Sequence, residues 1–202
     1  MKKNVLIGVL AALLVFVCAY FTVSYLTSTK SLTNTFTVGN VSISLTESKV
    51  DELGNVVPNA ARVTDGNAYI LAPDTTYVKD PTIKVLDDSG SCYLFVKVEN
   101  GLTEIEANDG ATISDQMSVN SWVQVANVDN VYFYANKQDG SLLKAVSAGT
   151  RVPIFSQLST GPNDIRSTYN EKPITVTAYA VQTAGVSTTN PATLWNSAFG
   201  GN

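Results

Sequence analysis

The chain has 202 residues, 45% hydrophobic and 15% charged, with a formal net charge of -4. That is the composition of a folded chain long enough to bury a core, and it excludes a disordered one. Lys2 and Lys3 belong to a basic leader, so the rest is more acidic still, which argues against nucleic acid or anionic lipid as a partner.

No histidine occurs. Ser-His-Asp and Cys-His nucleophile systems and HExxH zinc sites are therefore absent, and no catalytic, metal or cofactor residue can be assigned. The chain is read as a non-enzyme. Of the two cysteines, Cys18 lies in the leader, and Cys92 in the strand-like SCYLFVKV reads as a small buried hydrophobe.

Met1-Lys2-Lys3-Asn4 is a short basic start, continued by an apolar run from Val5 to Ala19. These are the n-region and h-region of a secretory signal, with cleavage by a signal peptidase expected between Ala19 and Tyr20. Two alternatives stay open: retention of the run as an anchor, and lipidation of Cys18, against which Phe16-Val17 argue. Residues 1–19 are thus assigned as signal peptide, 20–33 as an N-terminal arm and 34–202 as the folded domain.

The arm and the start of the domain, FTVSYLTSTKSLTNTFTVGNVSISL from Phe21 to Leu45, are rich in residues that suit a pleated surface. Phe21, Val23 and Tyr25 share one face of a strand, yet no turn signal pairs this strand with a neighbour. Phe36 and Val38, then Val41, Ile43 and Leu45, alternate with polar residues. Gly39-Asn40 breaks the phase, which predicts a bulge or bend.

Residues 46–67 are polar and turn-rich and read as a surface excursion. Strands are expected at Tyr69 to Leu71, at Pro81 to Leu86 and at Cys92 to Glu99. The last two are read as a hairpin across Asp87-Asp88-Ser89-Gly90. In the second of them Leu94, Val96 and Val98 share one face, and Tyr93, Phe95, Lys97 and Glu99 the other. Residues 100–121 carry no clear pattern beyond a short helix near Ser114 to Val119.

Further strands are expected at Trp122 to Val125, Val131 to Ala135, Leu142 to Val146 and Val152 to Leu158, where Pro153 marks an edge or bulge. Ile174 to Val181 alternates cleanly and reads as the last strand. A short helix should run from Asn190 to Phe199, with Pro191 at its start and Gly200-Gly201 at its stop. Many short strands with frequent turn signals make an all-β, antiparallel sandwich.

Tyr132 and Tyr134 share a face of their strand and are candidate surface aromatics for a polysaccharide, with Phe133 turned to the core. Glu104, Glu106 and Asp109 lack a calcium-loop register and read as solvated turns. Lys84 and Lys97, which an isopeptide crosslink could use in an extracellular β-domain, read as ordinary outward-facing lysines.

Three segments together resemble the TasA/camelysin family of secreted Gram-positive proteins, which are processed by a SipW-type signal peptidase. They are AYFT at Ala19 to Thr22 with NTFTVGNVSISL at Asn34 to Leu45, LAPDTTYVKDPTIKV at Leu71 to Val85 running into YLFVKVE, and ITVTAYAVQ at Ile174 to Gln182 with Trp195 behind it. The resemblance implies a jelly-roll β-sandwich behind a hydrophobic signal helix. It implies export to the cell surface or matrix, and assembly with copies of itself into biofilm fibres. In fibre-forming relatives the mature N-terminus is a donor strand for the adjacent subunit, which here gives Phe21, Val23 and Tyr25 as the donor side chains. Other matrix proteins or a polysaccharide are further expected partners. The alternative is a monomeric surface or matrix binding module, or a fibre accessory protein. The family's label of metalloprotease does not carry over, because the histidines of a zinc site are missing.

Overall fold

The computed structural model describes residues 28–30, 33–109, 111–136, 139–162, 169 and 172–200. The chain is mostly β, in mixed and antiparallel sheets. Among the described residues the strands run in order: β1 Ser28–Lys30, β2 Thr33–Val38, β3 Ile43–Thr46, β4 Ala68–Ile70, β5 Thr76–Val78, β6 Thr82–Val85, β7 Cys92–Asn100, β8 Trp122–Gln124, β9 Val131–Asn136, β10 Asp139–Leu143, β11 Arg151–Pro153, β12 Gln157–Ser159 and β13 Ile174–Gln182. Helices α1 at Ile113–Val119 and α2 at Pro191–Phe199 accompany them.

The largest sheet runs β10-β9-β7-β13-β2, with β8 also paired to β9. A three-stranded sheet, β11-β6-β3, faces it, and β12-β5 and β1-β4 form separate pairs. Ile43, Leu45, Ile83 and Val85 from the smaller sheet share one core with Leu94, Val96, Val176 and Ala178 from the larger. Each large aliphatic buried there contributes about 1.5–3 kcal/mol.

The outer face of the large sheet is covered too. Phe95, Phe133 and Val181 pack there under Leu194, Trp195 and Phe199 of α2. Both faces are therefore buried at the middle of β7 and β13, where Leu94 to Val96 and Val176 to Ala178 are buried in succession. Helix α2 starts where its sequence says it should. Asn190 Oδ1 accepts the Thr193 N–H at 2.9 Å, and Pro191 occupies the first turn. For α1, Thr112 and Asp115 form a reciprocal capping box that fixes the start one residue before Ser114.

The expected hairpin between Pro81 to Leu86 and Cys92 to Glu99 does not form. Both strands exist, but β6 pairs with β3 and β11 whereas β7 pairs with β13 and β9. The connection arches from one layer to the other. It is held by Leu86 N–H on the Ser42 carbonyl and Gly90 N–H on the Asn40 carbonyl. Ile83 and Val85 meet Leu94 and Val96 in the shared core, and alternation alone reads the same for strands that face one another as for strands that pair.

Val152 to Leu158 is likewise two strands. β11 lies at the edge of the smaller sheet with Pro153 as its last residue, and β12 pairs with β5, a strand that sequence patterning missed. Between them Ile154 and Phe155 are fully buried.

Residues 46–67 are not simply a surface excursion. Glu47 and Val63 form a β-bridge, as do Val50 and Val56. Glu47 and Asn67, at the two ends of the segment, are buried together with Lys79. Arg62 clamps the segment from outside, donating to the Thr46 and Asp80 carbonyls and to Asp80 Oδ2.

Candidate functional site

The exposed end of the large sheet is built by β13 and β2. β13 pairs along its whole length with β7, antiparallel from Ile174↔Asn100 to Gln182↔Cys92. Its other edge carries β2 in parallel, from Val176↔Thr33 to Val181↔Val38. β2 ends the sheet. Parallel pairing is the weaker ladder, and residues 35–40 are exposed on both faces. Phe36 is 49% and Val38 40% exposed. The alternation that groups Phe36 and Val38 with Val41, Ile43 and Leu45 therefore describes two environments, since only the latter three are buried.

Gly39 and Asn40 make the change of sheet. Gly39 has a φ of +87°, a conformation that costs residues with a Cβ. Asn40 N–H donates to Gln182 Oε1 at 2.8 Å, tying the bend to the end of β13. A side-chain anchor also holds β2: the Phe36 ring stacks on Tyr179 at 5.2 Å. Tyr179 in turn meets Trp195 at 4.8 Å and Phe199 at 5.0 Å. Burial raises the Tyr179 phenol above its ordinary range, and the nearby Lys97 opposes that. Lys97 itself pairs with Glu99 at 2.8 Å on the surface, an exposed contact of little energetic weight.

The arm is placed only in part. Ala19, Tyr20, Phe21, Val23 and Tyr25 lie outside the described residues. Ser28–Lys30, read as part of an arm without a partner, pairs antiparallel with β4 of the same chain, Thr29 opposite Tyr69.

Tyr132 and Tyr134 are half-buried rather than open platforms. Tyr134 packs on Trp122 at 5.3 Å, with Lys144 Nζ 5.0 Å from its ring centre. Tyr132 lines a cavity of about 560 Å³ together with Asn100, Thr103, Glu106 and Met117. Phe133 is buried, as its alternation implies. Within that cavity burial raises the Glu106 carboxyl above its usual range, against hydrogen bonds from Ile113 N–H at 3.0 Å and Asn100 Nδ2 at 3.1 Å. Glu106 is thus not a solvated turn residue. Its polar setting in sequence gave no sign that α1 would close over it.

Cys92 is fully buried, and burial alone pushes its thiol up to about 11. It is chemically quiet. Among the described residues no group of His, Cys, Asp or Glu is arranged to hold a metal ion, and no helix is long and apolar enough to cross a membrane. No family model, curated protein or solved structure matches the chain.

Proposed function

We propose that this protein is an exported structural subunit of extracellular matrix fibres, a jelly-roll member of the TasA/camelysin family that assembles head-to-tail by donating its N-terminal arm to the next subunit. The observation that carries this reading is the position of the first two strands. β1 and β2 both lie at sheet edges, and residues 35–38 of β2 are exposed on both faces. An edge strand leaves one row of backbone donors and acceptors open, which is where strands are exchanged or added between chains.

In the proposed fibre the segment from Phe21 to Lys30 reaches roughly 30 Å when extended and adds to a sheet edge of its neighbour. Phe21, Val23 and Tyr25 each contribute about 1.5–3 kcal/mol of burial there, before the cost of ordering the arm. A contact of one surface with a different surface of the next copy does not close on itself, so it propagates as a filament. Removing residues 20–30 should leave a folded monomer, judged by circular dichroism, that no longer forms filaments. Filaments of unchanged length and number from the truncated chain would remove donor-strand assembly from the account.

A second reading rests on the cavity beside Tyr132, whose volume suits a small ligand. There the protein is a monomeric matrix or cell-surface module that binds a polysaccharide end or branch. It predicts saturable glycan binding lost in Tyr132→Ala, with no concentration-dependent growth in particle size.

A further inference from the structure

Lys79 is the buried lysine of the described residues, 3% exposed, and it meets a glutamate that is fully buried. Its Nζ donates to Glu47 Oε2 at 3.0 Å. A buried ion pair costs more desolvation than its attraction usually returns, and an apolar pair of similar volume commonly serves stability better. Stability alone is therefore a weak reason for its presence.

The third member of the cluster is an amide. Asn67, 2% exposed, donates from Nδ2 to the other oxygen of the same carboxylate, Glu47 Oε1, at 2.9 Å. Nδ2 also donates to the Ser48 carbonyl at 2.8 Å, while Oδ1 accepts the Val50 N–H at 3.1 Å. Two acceptors on one side and one donor on the other fix which way the amide points. One carboxylate thus holds an amine and a carboxamide side by side, away from water, with the Tyr69 ring over the amine at 5.7 Å.

We propose that Lys79 and Asn67 are joined by an intramolecular isopeptide bond whose formation Glu47 promotes. Burial favours the neutral amine of Lys79, and Glu47 Oε2 is in place to take the proton it gives up. The freed Nζ lone pair attacks Asn67 Cγ. The charge that develops on Oδ1 is met by the Val50 N–H, already directed at that oxygen. The protonated Glu47 carboxyl then turns that proton from Oε2 toward Nδ2 and gives it up there, the Cγ–Nδ2 bond breaks, and the nitrogen leaves with the second proton of the former ammonium as ammonium ion. One C–N bond forms and one breaks, Glu47 is regenerated, and no oxidant, metal or cofactor is needed. The bond ties the residue before β4 to the residue after β5. It is independent of how, or whether, the chain assembles.

The test is intact mass spectrometry of the purified, denatured wild-type protein, followed by digestion. The expected mass is lighter than the sequence by one ammonia. Trypsin should fail to cut after Lys79, and cleavage at Asp74, between the two residues, should leave the halves joined. A succinimide at Asn67 has the same mass but leaves Lys79 cleavable and the halves separate. Glu47→Ala should restore the full mass; if that variant does not fold, Lys79→Met, which keeps the bulk of the stem, makes the same comparison. A full-sequence mass for the folded wild-type protein, or a light mass with Lys79 still cut, overturns the proposal. Persistence of the link in Glu47→Ala overturns the role given to Glu47.

Discussion

Replacing Gly39 by alanine probes the bend that holds β2 against β13. The φ of +87° there costs a residue with a Cβ about 1–2 kcal/mol. A Cβ built on Gly39 would also stand 2.6 Å from Gln182 Oε1 and 2.7 Å from Gln182 Cβ. The amide end can swing away, but the Asn40 N–H then loses its bond to Oε1, worth about 0.5–1.5 kcal/mol. Gln182 Cβ is fixed to the β13 backbone and cannot swing, so the bend must open. The expected total is about 1.5–3.5 kcal/mol from these two sources, read as a shift of the urea midpoint at constant slope. Gln182→Ala would leave the Cβ contact, so the informative partner is Gln182→Gly, which clears both. In that background Gly39→Ala should cost only the backbone part, about 1–2 kcal/mol. Equal costs in the two backgrounds would refute the steric half of the reasoning. A cost below about 0.5 kcal/mol in both, the range of ordinary surface changes, would refute all of it.

The aromatic packing and the buried carboxyl give two further expected outcomes. Trp195→Ala should destabilise the protein by about 3–5 kcal/mol, because its ring fills the space between Phe95, Tyr179 and Phe199; a cost under about 1 kcal/mol, measured by denaturation, would mean that α2 is not a fixed part of the core. Burial holds the Glu106 carboxyl above its ordinary 4.5, so the folded state binds this proton more tightly than the unfolded one. Its contribution to stability is complete below the ordinary value and is lost as pH rises through the raised one. Carboxyl NMR should find Glu106 titrating above its ordinary range, and a value at or below it would contradict the cavity geometry.

What could be read from the residues was local. Pro191 and Gly200 framed α2, Gly39-Asn40 marked a real bend, and ITVTAYAV was a strand, because propensity, capping and turn chemistry act over a few neighbours. Partnership was not legible. β6 and β7 carry hairpin-like punctuation between them, yet they belong to opposite layers, since the pattern records only which face is apolar. The same limit hid the break at Ile154-Phe155, where an apolar stretch continues through a change of sheet. It also hid Lys79, which sits in TYVKDP like any surface lysine. Nothing near it in sequence shows that Glu47 and Asn67 close around it from 32 and 12 positions away. For the proposed assembly, the apolar face of Phe21, Val23 and Tyr25 was visible, whereas the edges that could receive it needed the sheet order.

The most direct test of the proposed fibre subunit is negative-stain microscopy of the secreted protein, concentrated and incubated, after mass spectrometry has fixed its N-terminus. Filaments from a chain that begins at Tyr20 are the expected result. A stable monomer with that same N-terminus would contradict it.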